Sequence, residues 1–433
     1  MTDVTTLAAG LKPASTLEHC LEHGLVRTVF QPIVHLDSGD VVAYEALSRG
    51  PAGPLERPDQ LFDAARRSGR LTELDELCRR TALLSAIEVG IVAPQRLFIN
   101  VEPGIVDVGP LRELLDLARD APGDLDVVLE VTERALSARP AELLATVDRL
   151  RADGWKVALD DVGAEEMSLA FMELLRPEVV KLDLSLVQER PTPDIARIMN
   201  SVNAYAERSG AVILAEGIET TEHVDVARSL GATVGQGWLL GRPARQPVDH
   251  LAAGTLDVPS VVSQRAEDSP FGCLPAGTAL RRAAKPLLIE VSKHLEREAL
   301  RQGSTCVVMA TFQAAHHFTP NTSLRYRMLA KSVAFVAAIG GGIPVEPVAG
   351  VRGATLNPAD ALREEWDVVV LAPHFAAALL ARDLAAEDVP DRERVFEFAL
   401  TYDRTTVVAA ARALMSRIAA LPDAPHHSQP DSF

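Results

Sequence analysis

Residues 156–183 read KVALDDVGAEEMSLAFMELLRPEVVKLD and contain the strand–helix–strand pattern from which we predict the fold. Two short apolar runs, KVALD (156–160) and VVKLD (179–183), flank a segment of helix length. The same kind of run occurs six more times, as VRTVFQPIV (26–34), VVAYEAL (41–47), RLFINV (96–101), VVLEV (127–131), AVILAE (211–216) and ATVGQG (232–237). Eight candidate strands interleaved with helices favour an α/β fold of the TIM-type (β/α) barrel class. A doubly wound open sheet is the alternative, and the lack of a GxGxxG loop after the first strand disfavours it.

The sequence divides into this barrel region and a second, smaller domain. We expect the barrel at residues 18–245, a linker rich in Pro, Gly and Ser at 246–285, the second domain at 286–420 and a flexible tail at 421–433. The second domain reads as α/β, with strand-like runs at 305–313 and 366–374 between helix-like segments at 287–303, 325–340 and 405–421.

The composition limits what the chain does. Its 43 Lys and Arg residues against 60 Asp and Glu give a formal net charge of −17 at pH 7. A chain this acidic is a poor candidate for direct nucleic-acid binding by general charge attraction. The amino-terminal residues lack the basic and apolar segments of a signal peptide, and the longest uncharged run, 332–345, is too short to cross a bilayer. We therefore expect a cytoplasmic protein without membrane insertion.

Polar side chains occupy the ends of the predicted barrel strands. From the second strand to the eighth these residues are Glu45, Asn100, Glu130, Asp160 with Asp161, Lys181, Glu216 and Gln236. In a (β/α) barrel the carboxyl ends of the strands meet at one mouth, where the active site is built. A single Asp or Glu after a strand is typical of a helix N-cap. The joint pattern instead favours a metal site, because so many buried carboxylates need cations to neutralise them.

The candidate ligands are oxygen donors, which favours Mg²⁺ or Mn²⁺ over Zn²⁺. Asp160 and Asp161 are adjacent, so on a regular strand their side chains would face opposite ways. Both can serve one site only if the strand breaks between them, and Gly163 permits a sharp turn just beyond.

The motif YEALSR (44–49) resembles the signature of the EAL domain family, bacterial phosphodiesterases that hydrolyse cyclic di-GMP. Further segments resemble the family's other motifs in the family's order, namely QPIV (31–34), FINVEP (98–103), LEVTE (129–133), LDDVG (159–163), VVKLD (179–183), AEGIE (215–219) and QGWLLGRP (236–243). The resemblance implies hydrolysis of cyclic di-GMP to linear pGpG with two Mg²⁺ or Mn²⁺ ions. Two such cations can generate hydroxide and hold the leaving oxygen.

The resemblance also implies a role for each matching residue. One metal is held by the residues Glu45, Asn100, Glu130 and Asp160. A second is shared between Asp160 and Asp161. Lys181 matches the residue that orients and helps to deprotonate the attacking water. Glu216 contacts the second metal through water, and Gln236 lies near the metals and the substrate. The dinucleotide-binding positions are Gln31, Leu47 and Arg49, with Arg49 on a phosphate.

One loop departs from the family pattern. After LDDVG the usual TGYSS is replaced by AEEMS (164–168), in the loop that shapes the metal site and the dimer contact in relatives. Glu133, which anchors that loop in relatives, is retained. Weakened metal binding is one reading and a solvated loop with a different anchor is the other. A catalytically silent cyclic di-GMP receptor is therefore the alternative function, and a homodimer is possible.

The second domain resembles the DICT sensory domain through FTPNTSLRYRMLA, GVRGATL, EEWDVVVLAPHFAAALLARDL and FEFALTYDRTTVVAAARALM. The resemblance implies a regulatory domain for a signal that the sequence does not identify. The domain has no clustered acid set and no phosphate loop, so we expect no second enzyme. His316, His317 and His374 read as surface or strand-end histidines in preference to a ligand set.

Overall fold

Eight strands form a closed barrel in this computed structural model, which describes residues 16–101, 114, 116–119, 125–132, 137–164, 167–247, 251–261, 269–384 and 389–419. In sequence order the strands are β1 (Arg27–His35), β2 (Val41–Arg49), β3 (Arg96–Asn100), β4 (Asp126–Val131), β5 (Lys156–Val162), β6 (Val179–Leu182), β7 (Val212–Ala215) and β8 (Val234–Gly235). Each lies where the sequence predicts a strand, so the predicted barrel is confirmed. The open-sheet alternative is wrong, because the sheet closes on itself.

The first strand breaks the all-parallel pattern of a TIM barrel. β1 runs antiparallel to both β2 and β8. Only residues 36–40 connect β1 to β2, whereas a parallel crossover needs a dozen residues or more. The short connection therefore forces the reversal, and β2 pairs in parallel with β3 on its other edge.

The helices of the barrel region are α1 (Leu17–Glu22), α2 (Pro58–Arg67), α3 (Leu71–Glu88), α4 (Pro140–Ala152), α5 (Met167–Leu175), α6 (Leu184–Gln188), α7 (Pro193–Ser209) and α8 (Thr221–Ser229). Their ends follow sequence signals. In α7 the Thr192 side chain accepts from the Ile195 N–H, Pro193 occupies the first turn, and Gly210 ends the helix at φ 75°. Among the described residues, no helix combines the length and apolar character that a membrane crossing requires.

The chain forms two compact units. The first contains the described residues of 1–131 and 214–257, with β1–β4, the second half of β7 and β8. The second contains those of 132–213 and 258–433, with β5, β6 and the carboxyl-terminal sheet. Part of the predicted linker is ordered against the first unit. The Val41 N–H donates to Ala252 O at 2.8 Å, and Leu256 is buried.

The carboxyl-terminal sheet has seven strands in the order β12-β11-β10-β13-β14-β15-β9. Its strands are β9 (Arg281–Ala284), β10 (Val307–Ala314), β11 (Phe335–Gly341), β12 (Arg352–Thr355), β13 (Glu365–Ala372), β14 (Phe375–Asp383) and β15 (Val395–Thr401). Its helices are α9 (Lys285–Gln302), α10 (Pro320–Ala330) and α11 (Arg404–Met415). The predicted α/β character is confirmed. β9 falls inside the predicted linker and pairs with β15.

The prediction of a helix over 325–340 is wrong for its second half. Helix α10 ends at Ala330, and Phe335–Gly341 is a strand parallel to its neighbours β10 and β12. A strand covered on both faces reads as a continuous apolar run, and an alanine-rich run of this kind resembles a buried helix in sequence. Burial of Phe335–Ile339 on both sides is what the periodicity could not reveal.

Helix α5 is buried on every side. All residues from Ser168 to Leu175 are buried, because α5 packs on β5 and also contacts α7, α11 and β13. A helix that is apolar all round fits only where structure covers it completely. In the second unit, α11 packs on β13 and β14 and contacts α4 and α5.

A buried acidic pair lies in the second unit, at Glu365 and Asp367 on β13. Burial, and then the neighbouring Glu365 carboxylate, raise the pKa of Asp367 well above its ordinary value. The folded protein therefore keeps a proton on this carboxyl that the unfolded chain releases near pH 4. Its contribution to stability is complete below the unfolded pKa and is lost as pH rises through the folded pKa.

We expect Asp367→Asn to raise the free energy of unfolding at pH 7–8 by about 1 kcal/mol or more, since the neutral amide replaces a carboxyl whose protonation costs free energy there. The gain should shrink toward pH 4. Denaturant unfolding between pH 4 and pH 8 measures it, with the exposed Asp225→Asn as the matched control. A difference between variant and parent that does not change with pH would contradict the assigned protonation.

Candidate active site

Strand β2 places the first group of predicted site residues in the first unit. Glu45 is buried, and its Oε1 accepts from Asn100 Nδ2 at 2.9 Å. Its Oε2 accepts from Gln236 Nε2 at 2.6 Å. In register, Glu45 stands opposite Gln31 of β1, and Asn100 stands opposite the buried Glu130 of β4. The adjacent strands β2, β3 and β4 thus present three of the predicted metal ligands.

The two glutamines form a chain of hydrogen bonds beside Glu45. Gln236 Nε2 also donates to Gln31 Oε1 at 3.0 Å, and Gln31 Nε2 donates to Gly241 O at 3.2 Å. These bonds fix both amide orientations. Gln236 Oε1 is buried and has no hydrogen-bond partner among the described residues, so it can accept from a bound water or ligand.

Glycine at position 237 is a packing requirement. A Cβ there would lie 2.1 Å from Ile218 O, so no side chain fits. The close approach lets the Ile218 N–H donate to Gln236 O at 3.1 Å. Glu216, the first residue after β7, is therefore carried on a segment that is bonded directly to the end of β8.

Arg49 ends β2 beside an open cleft of about 700 Å³ that Arg27 and Arg57 also line. Arg49 Nη1 donates to Ser48 O at 2.8 Å. Arg27 is paired with Glu56 at 2.5 Å and Arg57 with Asp59 at 3.1 Å. Burial, and then Arg27, lower the pKa of Arg49, which still stays charged at neutral pH. Leu47, half-buried on the same strand, lies two residues before it.

Strand β5 places the second group, in the second unit. Asp161 adopts the left-handed conformation, with φ 54°, and the β5–β6 register shifts between Leu159 and Val162. Asp tolerates this conformation better than most residues. The bulge turns both carboxylates to one side, so that ligand atoms of Asp160 and Asp161 lie within 4.8 Å of each other. The strand does not break between the two aspartates, because β5 continues to Val162; a bulge within it brings them to one side instead.

Lys181 lies on β6 opposite this bulge and is 1% exposed. Its Nζ lies 2.8 Å from Asp160 Oδ1. A buried ammonium is tolerated because this carboxylate pairs with it. Gly163, with φ 108°, continues the turn after the bulge against Leu186.

The structure brings together Glu45, Asn100, Gln31 and Gln236 in one unit and Asp160, Asp161 and Lys181 in the other. Glu133, Glu165 and Glu166 lie outside the described residues. His374 of the second domain bonds to Asn200 Nδ2 at 3.0 Å, and His317 Nδ1 donates to Phe312 O at 3.0 Å. Sequence reasoning missed the buried acceptor of Gln236, because only the tertiary contacts show which amide atom is used.

Two family models match the chain. The EAL domain model matches residues 14–243. The DICT model, described as a sensory domain in diguanylate cyclases and two-component systems, matches residues 261–384.

Individual relatives match over the barrel region. Cyclic di-GMP phosphodiesterase NbdA of Pseudomonas aeruginosa is 28% identical over 242 residues, which is 54% of this chain and 31% of NbdA. Cyclic di-GMP phosphodiesterase RocR of the same organism is 30% identical over 249 residues, 53% of this chain and 60% of RocR. The chain thus spans less than two thirds of either relative.

A solved structure also resembles the chain. BlrP1 of Klebsiella pneumoniae, in a complex with manganese and cyclic di-GMP, is 28% identical with a TM-score of 0.47, over 51% of this chain and 57% of BlrP1. Since the EAL model alone covers more than half of the 433 residues, the chain belongs to the EAL domain family.

Proposed function

We propose that the barrel region hydrolyses cyclic di-GMP to linear pGpG. The observation that carries this proposal is the bulge in β5, which holds two carboxylates within 4.8 Å of each other and leaves one of them 2.8 Å from a buried lysine. Acidic pairs beside a lysine suit cleavage of a phosphodiester by metal-assisted attack of water. The relatives named above are phosphodiesterases for this substrate.

The donor atoms of the site fit hard divalent cations. Asn100 donates through Nδ2 to Glu45, so its carbonyl oxygen is the atom that can coordinate a cation. Glu45 and Glu130 in the first unit, and Asp160 and Asp161 in the second, add carboxylate oxygens, which Mg²⁺ and Mn²⁺ prefer. When bound, two such cations would neutralise the acidic groups and lower the pKa of a bound water.

The remaining residues bind and orient. Lys181 can hold the attacking water while it pairs with Asp160. Arg49 can bind a phosphate, and the acceptor of Gln236 can hold a water or a donor group of the substrate. In the reaction the water oxygen bonds to phosphorus, the bond from phosphorus to the 3′ oxygen breaks, and that oxygen leaves with a proton.

A receptor that binds cyclic di-GMP without cleaving it is the second candidate. The sequence AEEMS at 164–168 favours it, because this departure from the family pattern follows closely after the Asp160–Asp161 pair. Its last two residues are not part of a loop as expected, since Met167 and Ser168 begin helix α5. Both candidates predict binding, and they differ only in turnover. The site residues, the homodimer and the cytoplasmic location remain predictions.

We also propose that the carboxyl-terminal domain regulates the site through helix α5. Four contacts within the second unit support this. Arg412 of α11 donates from Nη2 to both carboxylate oxygens of Asp148, at 2.7 and 2.8 Å, and from Nη1 to Leu174 O. Arg404 lies 3.1 Å from Glu173, and the rings of Phe171 and Phe335 are 5.5 Å apart.

These contacts join the domain to the helix that follows the catalytic loop. α5 begins six residues after Asp161 and packs on β5. Residues of the carboxyl-terminal domain cover this helix within the second unit. A change in the carboxyl-terminal sheet would therefore reach the Asp160–Asp161 bulge through one packed element.

The first test is Glu45→Gln, which keeps the shape of the side chain and removes its charge. We expect hydrolysis of cyclic di-GMP to fall by about 10²-fold or more, since cation binding loses a carboxylate. The melting temperature should stay within a few degrees of the parent. Glu142→Gln, which alters an exposed pair with Arg139, is the matched control. Full turnover by Glu45→Gln would refute the metal assignment.

Lys181→Ala separates an enzyme from a receptor. We expect turnover to fall by about 10² to 10⁴-fold, the range for a positioned proton-handling group. Affinity for cyclic di-GMP, measured by calorimetry with Ca²⁺, should change little. Lys156→Ala, at the opposite end of β5 where Nζ bonds to Ser260 Oγ, is the control. Loss of binding together with turnover would make Lys181 a substrate anchor.

Arg412→Gln tests the regulatory link. We expect turnover to change by about fivefold or more, the lower end of a typical coupling between sites. Amide hydrogen exchange should rise in α4 and α5, because these helices lose part-buried hydrogen bonds from Arg412 to Asp148 and Leu174. Arg301→Gln, in an exposed pair with Glu298, is the matched control. Raised exchange with unchanged turnover would show that the domain packs on α5 without regulating the site.

A further inference from the structure

The second domain encloses a cavity of about 430 Å³ between α9, α10 and the strands β10 and β13. This volume lies within the range of small-molecule sites. Its apolar walls include Phe312, Tyr326 and Trp366, and Tyr326 packs edge-on against Phe312 at 5.4 Å between ring centroids. Aromatic walls of this kind suit a ligand with a flat aromatic ring.

Three buried polar atoms on the cavity wall have no hydrogen-bond partner among the described residues. They are Ser292 Oγ, Gln313 Nε2 and Tyr326 Oη. Their residues are 6%, 7% and 0% exposed. An unpaired buried polar atom is costly, and native proteins keep few of them away from functional sites. Three such atoms on one small cavity indicate a ligand that satisfies them.

The backbone at Gln313 is strained in order to hold the amide there. Gln313 adopts φ 53°, a left-handed conformation that is unfavourable for a residue with a side chain. The β10–β11 register shifts between Thr311 and Ala314, which makes a bulge at this point. Bulges redirect side chains next to functional sites, and backbone strain concentrates there.

The unpaired atoms define what the ligand must offer. The amide Nε2 of Gln313 is a donor only, and both hydroxyls can donate. Burial raises the pKa of Tyr326 well above its ordinary value, so its hydroxyl stays protonated and can donate. A ligand that satisfies all three therefore presents hydrogen-bond acceptors.

The charges on the wall also favour an acceptor-rich ligand. Its two carboxylates are already engaged, Glu296 with Arg325 at 2.6 Å and Asp391 with Lys285 at 2.5 Å. Lys293, which lies on the lining as well, is itself paired with Glu290 at 2.7 Å. A negatively charged ligand edge would therefore meet cations and donors instead of uncompensated carboxylates.

We propose that this cavity is the ligand site of the second domain, and that its ligand is a small aromatic compound whose polar edge carries acceptor groups such as a carboxylate. Binding here does not depend on cyclic di-GMP hydrolysis. Its test therefore reads binding and thermal stability in the full chain, and loss of turnover would not affect it.

The probes are anilinonaphthalene sulfonate, an aromatic molecule with an acceptor group, and N-phenylnaphthylamine, its counterpart without that group. Fluorescence titration of the parent should show saturable binding of the sulfonate probe. Tyr326→Phe keeps the aromatic wall and removes the hydroxyl. It should weaken sulfonate binding by about threefold to tenfold, the loss of one hydrogen bond, and leave the apolar probe unaffected.

The melting temperature without probe shows whether the Tyr326 hydroxyl is unpaired or makes a structural hydrogen bond. Because the hydroxyl is unpaired, Tyr326→Phe should leave that temperature unchanged or raise it, whereas loss of a structural hydrogen bond would lower it. Gln313→Gly suits the left-handed backbone and removes the amide. It should therefore also weaken binding of the sulfonate probe and leave the melting temperature unchanged or raised. The exposed Tyr402→Phe is the matched control.

Ser292→Phe fills the cavity and should abolish binding of both probes, with Ser332→Phe on the surface as its control. Circular dichroism checks that each variant is folded. Absence of saturable binding by the parent would overturn the proposal. So would sulfonate binding that survives Ser292→Phe, or a lower melting temperature for both Tyr326→Phe and Gln313→Gly.

Discussion

A buried ammonium 2.8 Å from a carboxylate, Lys181 against Asp160, is the interaction on which the proposed site depends. Neither group could be buried alone, because an unpaired charge inside a protein is costly. The pair lies beside the bulge of β5 at the left-handed Asp161. The same bulge turns the second aspartate beside the first, so the geometry that stabilises the lysine also assembles an acidic pair.

Hydrogen bonds also stabilise the buried carboxylate of Glu45 in the barrel. Asn100 and Gln236 donate to its two oxygens, and the glutamine chain continues to Gln31 and Gly241. Such a network holds side chains rigidly while it keeps oxygen atoms available to cations. The carboxyl-terminal domain differs in its hydrogen bonding. Its cavity contains buried donors that have no hydrogen-bond partner among the described residues. That contrast is consistent with our proposals of a cation site in the barrel region and a ligand site in the second domain.

The sequence predicts the barrel strands well, since each is an apolar run between helical segments. It also shows that Asp160 and Asp161 need an irregular backbone, because strict alternation could not place both carboxylates in one site; the irregularity is a bulge within β5 and not a break in the strand. It fails for Phe335–Gly341, where an alanine-rich strand buried on both faces has no periodicity. Contacts such as Arg412 with Asp148 join residues far apart in sequence, and the cavity brings Ser292, Gln313 and Tyr326 together only after folding.

Hydrolysis of cyclic di-GMP by the barrel region is tested by incubating the purified chain with this nucleotide and Mn²⁺. Chromatography then separates the nucleotides. We expect linear pGpG as the product and no product in excess EDTA, because the acidic groups need cations to act. Saturable binding of cyclic di-GMP with no pGpG over many hours would contradict it. The barrel would then be a receptor, with residues 164–168 as the departure that silences it.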